Sequence, residues 1–395
     1  MSSTASSVRA VPVLMATLLT LSVGFLVKAP CLGPWSDGRQ YNRLCYSDVA
    51  ALYASDDRDR GLDRGRFPYL EGDNEYPVLT GLAMWVAAVP ADSYPSFFVW
   101  TSVLLTGAAL ITAWALTGIA GRRAFLFALA PTLAIYGFVN WDLLAVMLAT
   151  VATLAYLRRR EGTAGVLLGL GAAAKLYPGL LVVPFGLGRL REGRGPDAAR
   201  LAGAAALSWV AVNIPFLLGA PERWSEFFRF NSSRGADWDS LWYLLARTFG
   251  FTWDPAALNL LSAAAFVALS VVLWRAAASR RPGFSAWTFG FPLLVAFLLT
   301  SKVYSPQYGL WLLPWFAAVL PDLRLFALFE AADVAVFVTR FQFFARFEGL
   351  GEGLPFGAFE VALLLRAAVL AACLAAWVVR GPQPAREPAA ALEAA

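Results

Sequence analysis

Long apolar runs, one after another, constrain this chain more than anything else in it. They lie near 11–27, 96–119, 124–138, 143–157, 162–175, 177–189, 199–218, 256–275, 284–300, 307–320, 324–339 and 357–379. A helix needs about 20 mostly apolar residues to cross a bilayer, fewer where neighbours shield it or thin the membrane. Twelve such runs predict an all-α polytopic membrane protein with both termini on one side. The run over 77–89 is short and closed by Pro90, so it reads as an interfacial or re-entrant helix.

Charge tests this layout. Loops on the N-terminal side carry 16 cations against six acids, a balance of +10. The opposite loops balance to −3 and the spans to −2, which together give the net charge of +5. Positive loops stay in the cytoplasm, so both termini are expected there and the long loops outside. Counting 77–89 as a span would invert every later loop and destroy the asymmetry. Residues 1–380 then form one transmembrane domain, with a first extracytoplasmic loop over 29–95 and a second over 219–255. The stretch 381–395 reads as a disordered cytoplasmic tail.

Composition narrows the chemistry. With 59% hydrophobic and 15% charged residues, an ordinary soluble enzyme, a disordered chain and a nucleic-acid reader are excluded. No histidine occurs, which removes any triad or metal site built on one. The cytoplasmic loops are short, and no phosphate-binding glycine loop accompanies a strand–helix pattern, so a nucleotide-driven engine is excluded. Cys31 and Cys45 share the first outer loop, where oxidation is allowed, and a disulfide between them is expected to tie Asp48 to the end of the first span.

Polar clusters interrupt the apolar runs at their outer ends. They contain Asp48, Glu75 with Tyr76, Asn140 with Trp141 and Asp142, Lys175 with Tyr177, Lys302 with Tyr304 and Gln307, and Arg340. Singly, each reads as a helix cap or a snorkelling cation. All three lysines of the chain, Lys28, Lys175 and Lys302, nevertheless fall on the same side as the best carboxylates, which describes a cavity opening outward. Nucleotide sugars are absent outside the cell, so a transferase there draws on a donor delivered through the membrane, such as a polyprenyl-phosphate sugar. Lys175, Lys302 and Arg340 suit its phosphate, a carboxylate suits the general base, and aromatic faces such as Trp141 and Tyr304 suit a sugar ring.

The stretches CYSDVAALY (45–53), EYPVLTG (75–81), NWDLLAV (140–146), GLGAAAKLYPGLLVVP (169–184) and SKVYSPQYGLWLLP (301–314) resemble GT-C fold glycosyltransferases. They are most similar to the actinobacterial family 87 of polyprenyl-phosphate-mannose-dependent mannosyltransferases. The resemblance implies a catalytic Asp in the first outer loop, which falls on Asp48, inversion at the sugar carbon, and no nucleotide-binding domain. Some relatives place a histidine near the lipid phosphate; here Gln307, Lys302 or Arg340 stands for that role. The expected partners are the lipid-linked donor, a glycolipid or glycan acceptor and membrane lipids, with no cofactor. The donor sugar stays open between a hexose, mannose first, and arabinofuranose. A transporter or flippase for a lipid-linked sugar is the alternative reading. Asp56, Asp57 and Asp59 suggest a metal run, but interleaved Arg58 and Arg60 oppose a cation, and a solvated loop is expected. Glu330, Asp333 and Arg366 lie inside spans and are expected to pair structurally.

Overall fold

The computed structural model describes residues 3–33, 35, 37–53, 62 and 65–384. Backbone groups in a bilayer must be satisfied within the segment, and the apolar runs accordingly fold as helices. Among the described residues the only sheet-like feature is an isolated bridge between Pro68 and Gly72. The helices used below are α1 (Ser3–Lys28), α2 (Asp48–Tyr53), α3 (Val78–Ala88), α4 (Tyr94–Ala120), α5 (Pro131–Tyr136), α6 (Asp142–Leu157), α7 (Glu161–Ala174), α8 (Val182–Arg191), α9 (Gly195–Gly219), α10 (Pro221–Ser233), α11 (Leu241–Phe249), α12 (Pro255–Arg280), α13 (Gly290–Thr300), α14 (Leu313–Val319), α15 (Leu323–Phe347) and α16 (Phe356–Arg380).

Helical segments occupy all twelve apolar runs, but they are not twelve equal spans. Among the described residues, five stretches are long and apolar enough to cross a membrane by themselves: Ala10–Cys31, Tyr94–Ala128, Gly195–Gly219, Pro255–Arg280 and Phe356–Arg380. With 16 residues, α6 reaches only about 24 Å at 1.5 Å per residue. It compensates by burial, packing between α4 and α7 with most of its side chains enclosed. The run 124–138 is broken at Ala130-Pro131, where proline opens α5. The run 307–320 starts as a 3-10 turn, Pro306–Trp311, before α14. The 77–89 run forms the 11-residue α3, leaning on α4 and α7.

Close packing follows from small residues. Gly165 and Gly169 lie one turn apart on α7, where an added Cβ would strike the Leu201 and Ala205 carbonyls of α9. Their absence lets the two backbones touch, and Ser208 donates across to the Val166 carbonyl at 3.1 Å.

The loops sort into two ends. At one, Arg123 donates to Gln383 O at 2.6 Å, Arg281 to Val378 O at 3.0 Å, and Arg380 pairs with Asp322 at 2.5 Å. At the other, the long segments meet: Asp48 N donates to Val139 O, Asp237 N to Lys302 O, and Asn42 Nδ2 to Leu350 O, all at 2.8 Å. Of the three charges expected to pair inside the helices, two do so with each other. Arg366 meets Asp333 at 3.2 Å. Glu330 instead accepts from Thr132 N at 2.8 Å and Thr132 Oγ1 at 2.9 Å, capping the broken start of α5. The acidic run Asp56–Asp59 and residues 385–395 of the expected tail lie outside the described residues.

Candidate active site

Four ties hold the segment that carries Asp48. Cys31 and Cys45 are joined, with their Cα atoms 5.6 Å apart. The buried Lys28 at the end of α1 donates to the Tyr46 carbonyl at 2.8 Å. Ser47 Oγ donates to Phe138 O at 2.7 Å, and Asp48 N to Val139 O. The first loop is thereby stapled to the 137–141 turn between α5 and α6, and Asp48 opens α2 against it.

This placement builds a hydrogen-bonded network. Asp48 Oδ1 accepts from Tyr46 Oη at 2.9 Å, and Oδ2 from Asn140 Nδ2 at 2.7 Å. The same amide donates to Tyr76 Oη at 2.8 Å, while Asn140 Oδ1 accepts from Trp141 N at 2.7 Å. Burial pushes the Asp48 carboxyl above its ordinary range, against the pull of these hydrogen bonds and the Lys175 charge. The Asp48 charge and burial push the Tyr46 phenol well up, so it stays a protonated donor. Asp48 itself is half-buried, so solvent or a ligand reaches it.

A cation sits beside the carboxylate. Lys175, just past α7, pairs with the fully buried Asp142 at 3.1 Å. Asp142 begins α6 but does not cap it: its other oxygen accepts from Trp311 Nε1 at 2.7 Å. The Lys175 ammonium lies 5.0 Å from the Tyr308 ring centre and 5.9 Å from that of Tyr76. Tyr308 and Tyr177 both stack on Trp311, at 4.1 and 4.3 Å, and Trp141 meets Tyr76 edge-on at 5.8 Å. Asp48, Tyr76, Asn140, Trp141, Asp142, Lys175 and Tyr177 thus belong to one cluster.

The other candidates have different neighbours. Lys302 Nζ is spent on the Arg234 carbonyl at 2.6 Å, docking the 234–237 segment. Arg340 is paired with Asp239 and lies 4.9 Å from the Phe344 ring. Tyr304 is buried under the Arg366 guanidinium, 3.6 Å from its ring centre. Gln307 is buried in the 3-10 turn. Glu75 lines a separate cleft on the same end of the bundle.

The sequence model of glycosyltransferase family 87 matches residues 75–306, more than half of the chain. The chain belongs to glycosyltransferase family 87. Its all-helical polytopic architecture agrees with the GT-C fold that the resemblance implied. Over 162 residues it is 29% identical to GPI mannosyltransferase 1 of Aspergillus fumigatus. That match covers 37% of this chain and 36% of that protein, so the chain spans about a third of the curated relative's length. Two solved structures of ArnT from Cupriavidus metallidurans, one bound to undecaprenyl phosphate and one in the apo state, are looser likenesses. They cover 92% and 91% of this chain and 77% and 76% of theirs, at 12% and 14% identity with TM-scores of 0.44 and 0.43.

In this family-87 glycosyltransferase, four members of the site escaped the sequence reading. Tyr46, Tyr308 and Trp311 stood inside the quoted motifs, but nothing in their spacing said which would touch Asp48, Lys175 or Asp142. Lys28 was visible as a cation closing the first span, yet its carbonyl partner lies 18 residues on. Chemically, the cluster offers a reachable carboxylate held by neutral donors, a lysine a short way off, and a floor of stacked rings.

Proposed function

We propose that this glycosyltransferase moves a hexose, mannose by its resemblances, from a polyprenyl-phosphate sugar to a hydroxyl of a glycolipid or glycan. The reaction inverts the sugar carbon and takes place on the extracytoplasmic face, with both termini cytoplasmic. One observation carries this reading: Asp48, half-buried, is held by Tyr46 and Asn140 at the bundle end where loop charge balances to −3. The +10 balance of the opposite end supports the orientation.

Asp48 takes the proton of the acceptor hydroxyl as its oxygen attacks the anomeric carbon. The bond from that carbon to the phosphate oxygen breaks, and polyprenyl phosphate leaves with the electron pair. Lys175, though paired with Asp142, is the cation for the leaving charge, because its charge bears on Asp48, while Lys302 and Arg340 face Arg234 O and Asp239. Asp142 is a poor rival base, since Trp311 and Lys175 occupy its two oxygens.

A positioned general base contributes about 10²–10⁴-fold. Asp48→Asn is therefore expected to lose about that much transfer, read as polyprenyl phosphate released from polyprenyl-phospho-mannose plus acceptor, with donor binding nearly intact. Near-normal release by the variant would move the base to Glu75 or Asp142. Movement of the donor across vesicles without any release would favour the flippase.

A further inference from the structure

The short-loop end of the bundle carries the +10 charge balance, and the acids there are unevenly shared. Glu161 meets Arg189 and Arg194 at 2.9 and 3.0 Å, Glu192 meets the same pair at 3.1 and 3.2 Å, and Asp197 meets Arg194 at 2.7 Å. Two arginines thus take three carboxylates. Arg122, Arg158, Arg159, Arg160 and Arg200 stay exposed, with no ion pair among the described residues.

The fold gathers these five at adjoining helix ends. Arg158 Nη2 stands 3.7 Å from where a Cβ on Gly118 would be, so its guanidinium rests on the last turn of α4. Arg122 follows directly, in the 3-10 turn Gly121–Ala124. Arg200 of α9 packs its Cδ 3.8 Å from the Cβ position of Gly162, on the first turn of α7. Arg158 and Gly162 are four residues apart, no more than about 14 Å even along an extended chain. Arg159 closes α6 in the left-handed region, at φ 58°, and Arg160 N donates back to Ala155 O at 2.9 Å. Glycine is the unstrained residue at such a helix end, yet the chain keeps an unpaired arginine there.

Scattered positive charge suffices to orient a membrane protein. Five guanidinia brought together without acids suit an anion, and the planar fork of each takes phosphate oxygens in pairs. The approach to them is apolar. On α4 the exposed Ile111 and Trp114 share a face with Gly118, and on α7 the exposed Val166 lies one turn from Gly162. Each lane runs from the hydrocarbon to an arginine, as an acyl chain runs to its headgroup. Helix length acts the same way. With 16 and 14 residues, α6 and α7 reach only about 24 and 21 Å, short of the roughly 30 Å hydrocarbon core. The turn that joins them therefore draws headgroups inward.

We propose that Arg122, Arg158, Arg159, Arg160 and Arg200 form a site for the headgroup of an anionic phospholipid in the adjoining leaflet. Its phosphate lies among the guanidinia and its acyl chains lie along α4 and α7. A zwitterionic lipid brings its own cation and gains less, and free phosphate has no chains for the apolar lanes.

Lipid binding to the full-length protein in detergent tests this, with dioleoyl phosphatidylglycerol and dioleoyl phosphatidylcholine titrated separately and bound lipid counted by native mass spectrometry. Wild type should prefer phosphatidylglycerol by at least about tenfold. Arg159→Gly removes one charge and the backbone strain together, so it should weaken phosphatidylglycerol about fivefold without lowering the unfolding midpoint. Replacing Arg158, Arg160 and Arg200 together by glutamine should weaken it about a hundredfold. Arg275→Gln with Arg280→Gln removes two exposed cations from α12, which packs on α13 and α16, and should leave binding in place. Inorganic phosphate should not displace the lipid. Equal binding of the two lipids, wild-type affinity in Arg159→Gly, an equal loss in the α12 variant, or displacement by inorganic phosphate would each overturn the site.

Discussion

Tyr46→Phe isolates one hydrogen bond of the site. The ring stays useful, because it stacks on Phe341 at 4.9 Å and on Tyr41 at 6.3 Å, and phenylalanine keeps both contacts. What is lost is the 2.9 Å bond from the phenol to Asp48 Oδ1. A bond to a charged group is worth about 1.5–3 kcal/mol, and the protonated acid would retain part of it, so about 1.5 kcal/mol is the differential loss. At 1.36 kcal/mol per unit, the Asp48 pKa rises by about one unit. The sign follows from the proton balance. The phenol stabilises the carboxylate, its removal favours the acid, and a base must be ionised to act. The acid limb of kcat/KM against pH should therefore move about one unit upward, while the plateau above it changes little. The Tyr46 phenol does not ionise in this range, since Asp48 and burial hold it well up. The assay is polyprenyl phosphate release across about pH 4 to 9 at subsaturating donor. A limb that stays in place, or moves to lower pH, would refute Asp48 as the group whose ionisation the rate reports.

The remaining expectations concern stability and conditions. Lys175→Met strands the fully buried Asp142 and should cost about 3–5 kcal/mol, read as a lowered unfolding midpoint, whereas Lys175→Met with Asp142→Asn should recover much of it; equal loss in both would mean the pair is not coupled. Replacing Cys31 and Cys45 by serine should remove about 2–4 kcal/mol and reduce transfer, because the bridge anchors the Asp48 segment. Intact mass before and after reduction and alkylation checks the bridge, and two free thiols in native protein would end the idea. Transfer should survive EDTA; loss that Mg²⁺ restores would return the Asp56–Asp59 run to the mechanism.

What the sequence shows well is whatever depends on local hydropathy. Each apolar run became helical, and each interruption of a run marked a polar turn: Asn140 to Asp142 between α5 and α6, Lys175 after α7. The family motifs led to Asp48, and the loop ties then explain its position. Partner choice across space was not legible. Lys302 does lie just past the end of α13, whereas α15 runs on to Phe347 and leaves Arg340 inside the helix; in neither case does position in the chain say which carbonyl or carboxylate the cation meets. Lys302 found the Arg234 carbonyl 68 residues away, and Arg340 found Asp239. Span lengths were similarly hidden, because α6 and α7 are shorter than the membrane and survive by packing, which hydropathy does not record.

The carboxylates of the bundle show why one of them is the base. Asp333 faces Arg366, Asp239 faces Arg340, and Asp142 faces Lys175 while also accepting from Trp311. Glu330 is spent on both donors of Thr132. A carboxylate whose oxygens are taken up by a cation and other donors has no lone pair left to aim at an incoming hydroxyl. Asp48 is hydrogen-bonded instead by a phenol and an amide, both neutral, while burial raises its proton affinity and its remaining partial exposure leaves it a face to a ligand. Lys175 is near enough to lower that affinity, yet its own salt bridge goes to Asp142. Asp142 thus keeps the lysine from neutralising the base. The lysine keeps a cation near the place where the leaving phosphate gathers charge. Exchanging the two carboxylates' neighbours would give a tighter ion pair at Asp48 and a worse catalyst, so the value of the site lies in whom Lys175 does not bind.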